Sequence, residues 1–285
     1  MRKTAIVTDT DAGLPDDIAA RYEIQQVPIL IHFGEETFTC GENINDVSLF
    51  ERIDREGSLP TTSAPSPEGF ARAYQKAFDD GADTIICVTV SGKISRTHES
   101  ALSAVEQFPG KQITVIDSQM LSIAQGMMVL AGAKAVEAGA THVEAVEIIR
   151  STGKRMHLYG SLTTLKYLAM GGRINKTSAI MGDLFVIRPL LTARDGKLEL
   201  LEKVRTSKAA LMRLVELVMS ELENKTLEQM AFVHVVNYEG AENLRQHLEK
   251  LIKLPDDILI TEFTPGLSVH AGKGLVGVAF TTSET

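Results

Sequence analysis

The stretch DTIICVTVSGKISRTHESALSAVEQFPGKQITVIDS (residues 83–118) contains the pattern that decides the fold. Residues 83–90 and 112–117 are short and largely apolar runs, and the segment 97–108 between them has the composition of a helix. Strands that are apolar along their length and alternate with helices are typical of a parallel sheet covered on both faces. The stretch therefore predicts a strand–helix–strand unit of an α/β fold.

The same alternation continues on both sides of this unit. Residues 4–9 (TAIVTD) predict a first strand and residues 24–33 a second, while residues 120–139 predict a long and nearly apolar helix. Ligands of such open sheets collect outside the carboxyl ends of the strands, in the loops that lead into the helices. The N-terminal half is therefore expected to form a parallel, Rossmann-like sheet with flanking helices.

The segment between the second strand and the central unit predicts a helix and a loop. The helix covers residues 45–57, with Asn45 or Asp46 as its cap and Gly57 as its closing residue. The stretch SLPTTSAPSP (58–67) is rich in proline and hydroxyl residues and suits no regular element, so we expect a loop there.

The character of the chain changes near residue 150. Residues 185–206 predict a β-hairpin that turns at Asp195-Gly196, a dipeptide typical of tight hairpin turns. Closely spaced strands follow, which indicates a mixed or antiparallel sheet with helices. We therefore expect two α/β domains, residues 1–152 and residues 153–285, with any ligand between them.

Composition excludes several classes of protein. The chain has 285 residues, of which 44% are hydrophobic and 23% charged, and its net charge is −8 without a clustered basic stripe, so no nucleic-acid surface is expected. No run approaches the roughly 18 apolar residues of a membrane span. The cysteines, Cys40 and Cys87, have no metal-ligand spacing, which favours reduced thiols, no metal site and a cytoplasmic location.

A glycine cluster near the end of the sequence has the spacing of a dinucleotide loop. LSVHAGKGLVGVAF (267–280) contains G-x-G-x-x-G at Gly272, Gly274 and Gly277. The dinucleotide motif needs a following helix and an acidic residue about 20 positions later, and here a β-rich segment follows instead. The pattern rather predicts a strand–turn–strand in which glycines take positive φ and allow close approach, with His270 at the rim of the turn.

Two loops carry more hydroxyl groups than helix capping requires. Residues 91–97 include Ser91, Ser95 and Thr97, and residues 61–66 include Thr61, Thr62, Ser63 and Ser66. Hydroxyl groups beside a helix N-terminus are neutral donors that suit a carboxylate or another small anion. The acids at the strand ends, Asp9 and Asp117, are expected to brace their loops.

Motifs of common catalytic sites are missing from the sequence. Neither G-x-x-x-x-G-K-[ST] nor G-x-S-x-G is present, H-E-x-x-H and C-x-x-C are absent, and the seven histidines do not cluster. One catalytic alternative stays open. A hydrolase or acyl transferase could use Ser95 or Ser118 as its nucleophile and His270 as its base, although no orienting group or oxyanion pocket is visible.

Short motifs along the chain occur in the order found in one known family. They are AIVTDTDAGLP (5–15), TTSAPSP (61–67), SGKISRTHESA (91–101), VIDS (115–118), GGRI (171–174), IRPLLTARDGKLELLEKVRT (187–206) and VHAGKG (269–274). Together they resemble the bacterial DegV family over about residues 3–280.

The resemblance implies a binding protein without a catalytic residue or cofactor of its own. Members of this kind hold a long-chain fatty acid, such as palmitate, stearate or oleate, between two α/β domains. They serve as the binding subunit of a bacterial fatty acid kinase, whose separate ATP-binding subunit phosphorylates the bound carboxylate. Transient contact with a membrane is also implied. A carrier of some other carboxylated lipid remains an alternative.

The resemblance also assigns roles to residues. Thr62, Ser95 and His270 match the positions that hold the carboxylate. Residues of the surrounding polar network, or of the contact with the kinase, are implied at Ser63, Thr97, Arg173, Arg205, Gly272 and Gly274.

The sequence departs from the family pattern at three positions near this site. Arg96 stands where the family usually has glycine, Lys273 where it often has proline, and Ala64 where it often has glutamine. The added cations could change the preferred head group or the partner surface. The tunnel for the tail is expected among residues 120–132 and 177–187, which are rich in aliphatic side chains.

Overall fold

The structure, a computed structural model, describes residues 3–174 and 187–283. Its strands are β1 (Thr4–Asp9), β2 (Gln25–Val27), β3 (Leu30–Phe33), β4 (Glu36–Thr39), β5 (Thr61–Ser63), β6 (Thr84–Thr89), β7 (Gln112–Asp117), β8 (Met156–Ser161), β9 (Arg188–Arg194), β10 (Lys197–Val204), β11 (Leu227–His234), β12 (Leu259–Glu262) and β13 (Val276–Thr282). Its α-helices are α1 (Asp16–Arg21), α2 (Asp46–Glu56), α3 (Pro67–Asp79), α4 (Thr97–Val105), α5 (Ser122–Glu137), α6 (His142–Lys154), α7 (Lys166–Met170), α8 (Ser207–Glu221), α9 (Tyr238–Glu249) and α10 (Pro265–Ala271).

The N-terminal strands form the parallel sheet that the sequence predicts. Its order is β2-β1-β6-β7, and every pairing in it is parallel. All six residues of β6 are buried, because helices cover both faces of the sheet. The strand–helix–strand unit over residues 83–118 is thus confirmed as β6, α4 and β7.

The prediction of one continuous strand over residues 24–33 is wrong. It is divided between β2 of the parallel sheet and β3 of a small antiparallel sheet with the order β4-β3-β5. Pro28 lies between the two pieces. Proline has no N–H for a strand ladder, which explains why the chain changes sheets there.

The expectation that residues 58–67 contain no regular element is also wrong. Residues Thr61–Ser63 form β5, which pairs with β3 so that Thr62 lies opposite Ile31. The ladder supplies partners for the backbone of this segment although its side chains are polar. Thr62 is therefore held on a strand rather than on a free loop.

The C-terminal strands form a mixed sheet with the order β10-β9-β8-β13-β11-β12. The pair β11–β12 is parallel, and the other pairs are antiparallel. The hairpin β9–β10 turns at Asp195 and Gly196, with φ of 48° and 77°, as the Asp-Gly signal predicts. The α/β class with a parallel and a mixed sheet is therefore confirmed.

Helix α5 joins the two large sheets. It packs on β1 and β6 of the parallel sheet and also on β8, β11 and β13 of the mixed sheet. One apolar cluster accordingly includes residues of both halves, among them Ile86, Met127 and Val233. The separate domains 1–152 and 153–285 stay a prediction, since this core is continuous across the proposed boundary.

The strand predicted just before Gly272 is wrong, because residues Pro265–Ala271 form the short helix α10. Pro265 occupies the first turn, where its fixed φ favours a helix and its missing N–H costs nothing. The helix ends at Gly272, whose φ is 79°. His270 thus lies in the last turn of a helix, and only the second predicted strand, β13, is present.

Candidate functional site

A cavity lies on the face of the mixed sheet that is turned toward α5 and α10. Most of its lining is aliphatic, including Leu158, Leu191, Leu198, Val233, Leu267 and Leu275. Such a lining suits an apolar ligand more than a sugar or a nucleotide.

The cavity has one polar end, which is formed by Thr62, His270 and Arg173. Thr62 Oγ1 and His270 Nε2 share a hydrogen bond of 2.9 Å, although the residues are 208 positions apart. His270 and Arg173 line the cavity directly. The structure therefore brings together two of the three residues that the family resemblance assigns to the carboxylate.

Gly171 provides the space that the imidazole ring of His270 occupies. A Cβ atom at Gly171 would lie 2.3 Å from His270 Nδ1, which is shorter than any non-bonded distance between two such atoms. Arg173 lies beside it, and its Nη1 donates a 2.6 Å hydrogen bond to the carbonyl oxygen of Gly171. The Gly-Gly-Arg segment thus contributes both room for the ring and a cation.

Burial and the nearby positive charge of Arg173 lower the pKa of His270 to about 4. The ring is therefore neutral near pH 7, with one nitrogen as donor and the other as acceptor. A neutral imidazole can donate a hydrogen bond to an anion without adding a second cation. The positive charge at the polar end comes from Arg173.

Two buried carboxyl groups hold the helix that carries His270. Thr264 Oγ1 donates a 3.0 Å hydrogen bond to Asp11 Oδ1, and Ser268 Oγ donates a 2.7 Å hydrogen bond to Asp46 Oδ2. Both bonds reach from α10 to the N-terminal half of the chain. They hold α10 close to β5, on which Thr62 lies.

Burial raises the pKa of both carboxyl groups, to about 8 for Asp11 and about 7 for Asp46. The negative charge of Asp9 also raises the pKa of Asp11, whereas Arg173 lowers it. Sequence reasoning missed both residues, because an aspartate in a loop or at a helix start usually acts as a local cap. The sequence carries no signal that they reach α10.

Ser95 is not hydrogen-bonded to the polar end. Its Oγ lies 2.8 Å from Thr97 Oγ1 and accepts a 3.3 Å hydrogen bond from the backbone N–H of Thr97, at the start of α4. Its neighbour Ile94 lines the cavity. A role for Ser95 and Thr97 at the head group stays a prediction.

The remaining residues of the assigned network are dispersed. Ser63 Oγ lies 2.8 Å from His32 Nε2, and Arg205 is exposed just beyond β10. Arg96 also faces solvent, where its Nε donates a 2.9 Å hydrogen bond to Glu99. Lys273 is exposed as well.

The glycines near the end of the chain have the positive φ that the sequence predicts. The φ of Gly272 is 79° and that of Gly274 is 91°. A Cβ atom at Gly272 would lie 2.4 Å from the ring of Tyr167, and one at Gly274 would lie 2.7 Å from Thr163 Cγ2. Both glycines therefore allow close packing against other residues of this chain.

The loop after β6 is tied to the hairpin of the mixed sheet. Ser91 Oγ and Lys93 Nζ each donate a 2.7 Å hydrogen bond, to the carbonyl oxygens of Gly196 and Asp195 respectively. These bonds connect the loop that carries Ile94 with the hairpin that carries Leu198, so they close one side of the cavity.

Asp9 and Asp117 brace their loops, as the sequence predicts. Asp9 accepts a 2.8 Å hydrogen bond from the backbone N–H of Val90, and Asp117 accepts bonds of 3.2 and 2.9 Å from the N–H groups of Gly92 and Gln119. Neither carboxylate lines the cavity.

In the described part of the chain, neither Ser95 nor Ser118, the two candidate nucleophiles, is hydrogen-bonded to a histidine. Ser118 Oγ donates to the carbonyl oxygen of Met120 and accepts from its N–H, at 3.1 and 3.0 Å. Ser95 is engaged with Thr97, and His270 with Thr62. The catalytic alternative therefore finds no geometric support.

The predicted tunnel segments are covered only in part. Leu121, from residues 120–132, lines the cavity, whereas the segment 177–187 lies outside the described residues except for Ile187.

Over residues 3–174 and 187–283, no helix is long and apolar enough to cross a bilayer. In the same ranges, no cluster of histidine, cysteine and acidic side chains could hold a metal ion.

Comparison with known proteins agrees with the fold. A model of the DegV family matches residues 3–283. A DegV domain-containing protein of Streptomyces coelicolor is 33% identical over 277 residues, which cover 97% of this chain and 98% of the relative. A corresponding protein of Listeria innocua is 30% identical over 279 residues, 98% of either chain.

Solved structures share the whole architecture. A DegV family protein from Thermus thermophilus, described by its fatty acid binding, has a TM-score of 0.92 at 30% identity, covering 99% of this chain and 100% of that one. A fatty-acid-binding DegV family protein from Streptococcus agalactiae has a TM-score of 0.89 at 28% identity, with 100% of both chains covered.

Proposed function

The chain belongs to the DegV family, and we propose that it binds a long-chain fatty acid in the cavity on the mixed sheet, with the carboxylate at the polar end. One observation carries the proposal: the hydrogen-bonded pair Thr62–His270 and the cation of Arg173 stand at one end of a cavity whose lining is mostly aliphatic. The fatty acid binding described for the similar proteins of Thermus thermophilus and Streptococcus agalactiae supports it.

The tail supplies most of the affinity in this proposal. Each buried methylene contributes on the order of 0.8 kcal/mol, so a chain of about 16 carbons gains roughly 12 kcal/mol before ordering costs. Palmitate, stearate and oleate are ligands of this size. Most side chains along the cavity are aliphatic, so a tail of this kind buries few polar groups.

The polar end sets the direction of the ligand. The Thr62–His270 pair keeps one proton in its own hydrogen bond and can donate the other to a carboxylate, which Arg173 also attracts. Ser95 would join them if its hydroxyl group turned away from Thr97. We assign the same environment to any carboxylated lipid of similar length, and the identity of the extracted ligand distinguishes these candidates.

The finer part of the proposal concerns what happens to the bound acid. A separate ATP-binding kinase subunit would transfer the γ-phosphoryl group of ATP to the carboxylate oxygen, which yields an acyl phosphate and ADP. The sequence carries no Walker A motif of its own, which leaves the nucleotide to the partner. Arg205 is exposed and available for a partner. A cytoplasmic carrier of this kind would meet the membrane transiently to exchange its ligand.

The first test identifies the ligand and the residues that hold it. Native mass spectrometry of freshly purified protein is expected to show a bound fatty acid. His270→Ala should weaken palmitate binding by about tenfold to a hundredfold, the range for a lost hydrogen bond to a charged group, and leave binding of hexadecanol within about threefold.

A matched control is His247→Ala, since His247 is a half-buried histidine away from the cavity whose Nδ1 bonds to the backbone of its own helix. That variant should bind both ligands like the wild type. Equal losses of palmitate and hexadecanol in His270→Ala would place the ring outside the head-group site. A wild-type protein that is purified empty and refuses added palmitate would refute the proposed function itself.

A further inference from the structure

A row of paired residues crosses the mixed sheet beneath the cavity. In the strand register, Val233 of β11 lies opposite Gly277 of β13, and Gly277 lies opposite Gly160 of β8. Gly160 in turn lies opposite Leu191 of β9. All four residues line the cavity, as does Leu198 on the next strand, β10, which lies two positions from Leu200, the partner of Leu191, and so on the same face. We call this row the cavity floor.

The length of the cavity floor follows from the number of strands that it crosses. Paired residues share one face of a sheet, and neighbouring strands lie about 4.8 Å apart. From β11 to β10 there are four such spacings, so the floor is about 19 Å long. The hydrocarbon core of a bilayer is about 30 Å thick, so one layer of acyl chains spans about half of that. The floor is thus long enough for one extended long chain.

The two glycines at the centre of the floor are not equivalent. A Cβ atom at Gly277 would lie 2.9 Å from the carbonyl oxygen of Tyr159 and 3.0 Å from Val233 Cγ1, so close packing explains that glycine. A Cβ atom at Gly160 would meet only the carbonyl oxygen of Val276, at 3.8 Å. Packing therefore leaves room for a side chain at Gly160, and the side chain would enter the cavity.

We propose that Gly160 determines the acyl chain length that the cavity accepts, an inference that rests on the proposed function. Gly160 is on the third of the five strands of the floor, about 10 Å from either end. A long chain that lies along the floor must pass it whichever end holds the carboxylate. A side chain at this position divides the floor, and only a chain of about half the length then fits.

The test compares long and medium chains in one variant. Gly160→Leu is expected to weaken palmitate binding by about tenfold or more, because two methylenes left outside the cavity already account for that factor. Octanoate binding should stay within about threefold of the wild type. Titration calorimetry with both acids measures the two affinities, and circular dichroism verifies the fold.

The neighbouring residue offers a matched control. Ser161 is on the same strand but faces the opposite side of the sheet, where it lines a groove beside α8. Ser161→Val should bind both acids like the wild type. If Gly160→Leu does not fold, Gly160→Ala provides the test, with a loss of stearate relative to decanoate as the expected result.

The outcomes separate the inference from the proposed function. If the wild type binds palmitate and Gly160→Leu binds it equally well, the chain does not cross the floor and the inference is overturned. It is also overturned if the folded variant loses octanoate and palmitate alike. If the wild type binds neither acid, the proposed function fails first, and the inference fails with it.

Discussion

The polar end of the cavity and the cavity floor make different demands on the fold. The polar end depends on buried ionisable groups, since Asp11 and Asp46 hold the helix that carries His270 and burial raises the pKa of both. The floor contains only aliphatic residues and glycine, held in place by strand register. The comparison teaches that the polar end makes the stability of this molecule depend on pH, whereas the floor, which holds no ionisable group, does not.

The largest expected effect tests the cost of the polar end. Burial raises the pKa of Asp46 from 3.8 to about 7, with a smaller contribution from the charge of Glu262. Between about pH 4 and pH 7 the folded protein therefore keeps a proton that the unfolded chain releases, and stability falls as pH rises through this window. Asp46→Asn should be about 3 kcal/mol more stable relative to the wild type at pH 8 than at pH 4.5.

Urea unfolding at several pH values measures this difference. Asp9 and Asp11, whose pKa values burial also raises, keep their own share of the slope in the variant, so the slope should decrease without vanishing. The control is Gly160→Ala, which changes the cavity floor without changing an ionisable group. Its stability relative to the wild type should not depend on pH. An unchanged slope in Asp46→Asn would show that Asp46 is ionised in the folded protein.

An intermediate effect is expected from the glycine beside the imidazole ring. The added methyl group in Gly171→Ala would displace the ring of His270, since it would lie 2.3 Å from Nδ1. Palmitate binding should weaken by about tenfold, the equivalent of one lost hydrogen bond, while hexadecanol binding stays unchanged.

The adjacent glycine provides the control for that variant. At Gly172 a Cβ atom would meet no atom within 4 Å, although its φ of 71° makes any substitution strained. Gly172→Ala should therefore lower stability and leave the ratio of palmitate to hexadecanol affinity intact. If Gly171→Ala and Gly172→Ala had the same ratio of palmitate to hexadecanol affinity, the assignment of His270 to the polar end would be contradicted.

The smallest effect is expected at Arg96, which departs from the family pattern. Its guanidinium group is exposed and paired with Glu99 on the surface. Exposed pairs of this kind contribute about 0–1 kcal/mol. Arg96→Ala should therefore change palmitate affinity by less than about twofold in titration calorimetry. A larger loss would place this cation at the head group.

Much of the architecture could be predicted because it depends on local patterns. The apolar runs of β6 and β7 indicated a covered parallel sheet, and Asp195-Gly196 located the hairpin turn. Asn45 caps α2 and Gly57 ends it, as expected. Helix α6 and strand β4, by contrast, went unpredicted, since neither stands out by apolar composition.

The candidate site was less accessible to such reasoning. The resemblance to a family selected Thr62 and His270, and the structure joins them. It assigned Ser95 to the same cluster, whereas the structure pairs Ser95 with Thr97. It predicted neither the contact of Asp46 with α10 nor the place of Gly160 in the cavity, because both depend on what lies opposite these residues in space.

The sequence by itself determined the α/β class, the order of most elements and the hydroxyl and glycine motifs, because hydrophobic periodicity and turn chemistry act over a few residues. Only the tertiary structure decided that β5 is a strand, that α10 is a helix and that Thr62 meets a residue 208 positions away. Contacts between such distant residues depend on how whole helices and strands pack against one another, and no local pattern of residues encodes that packing.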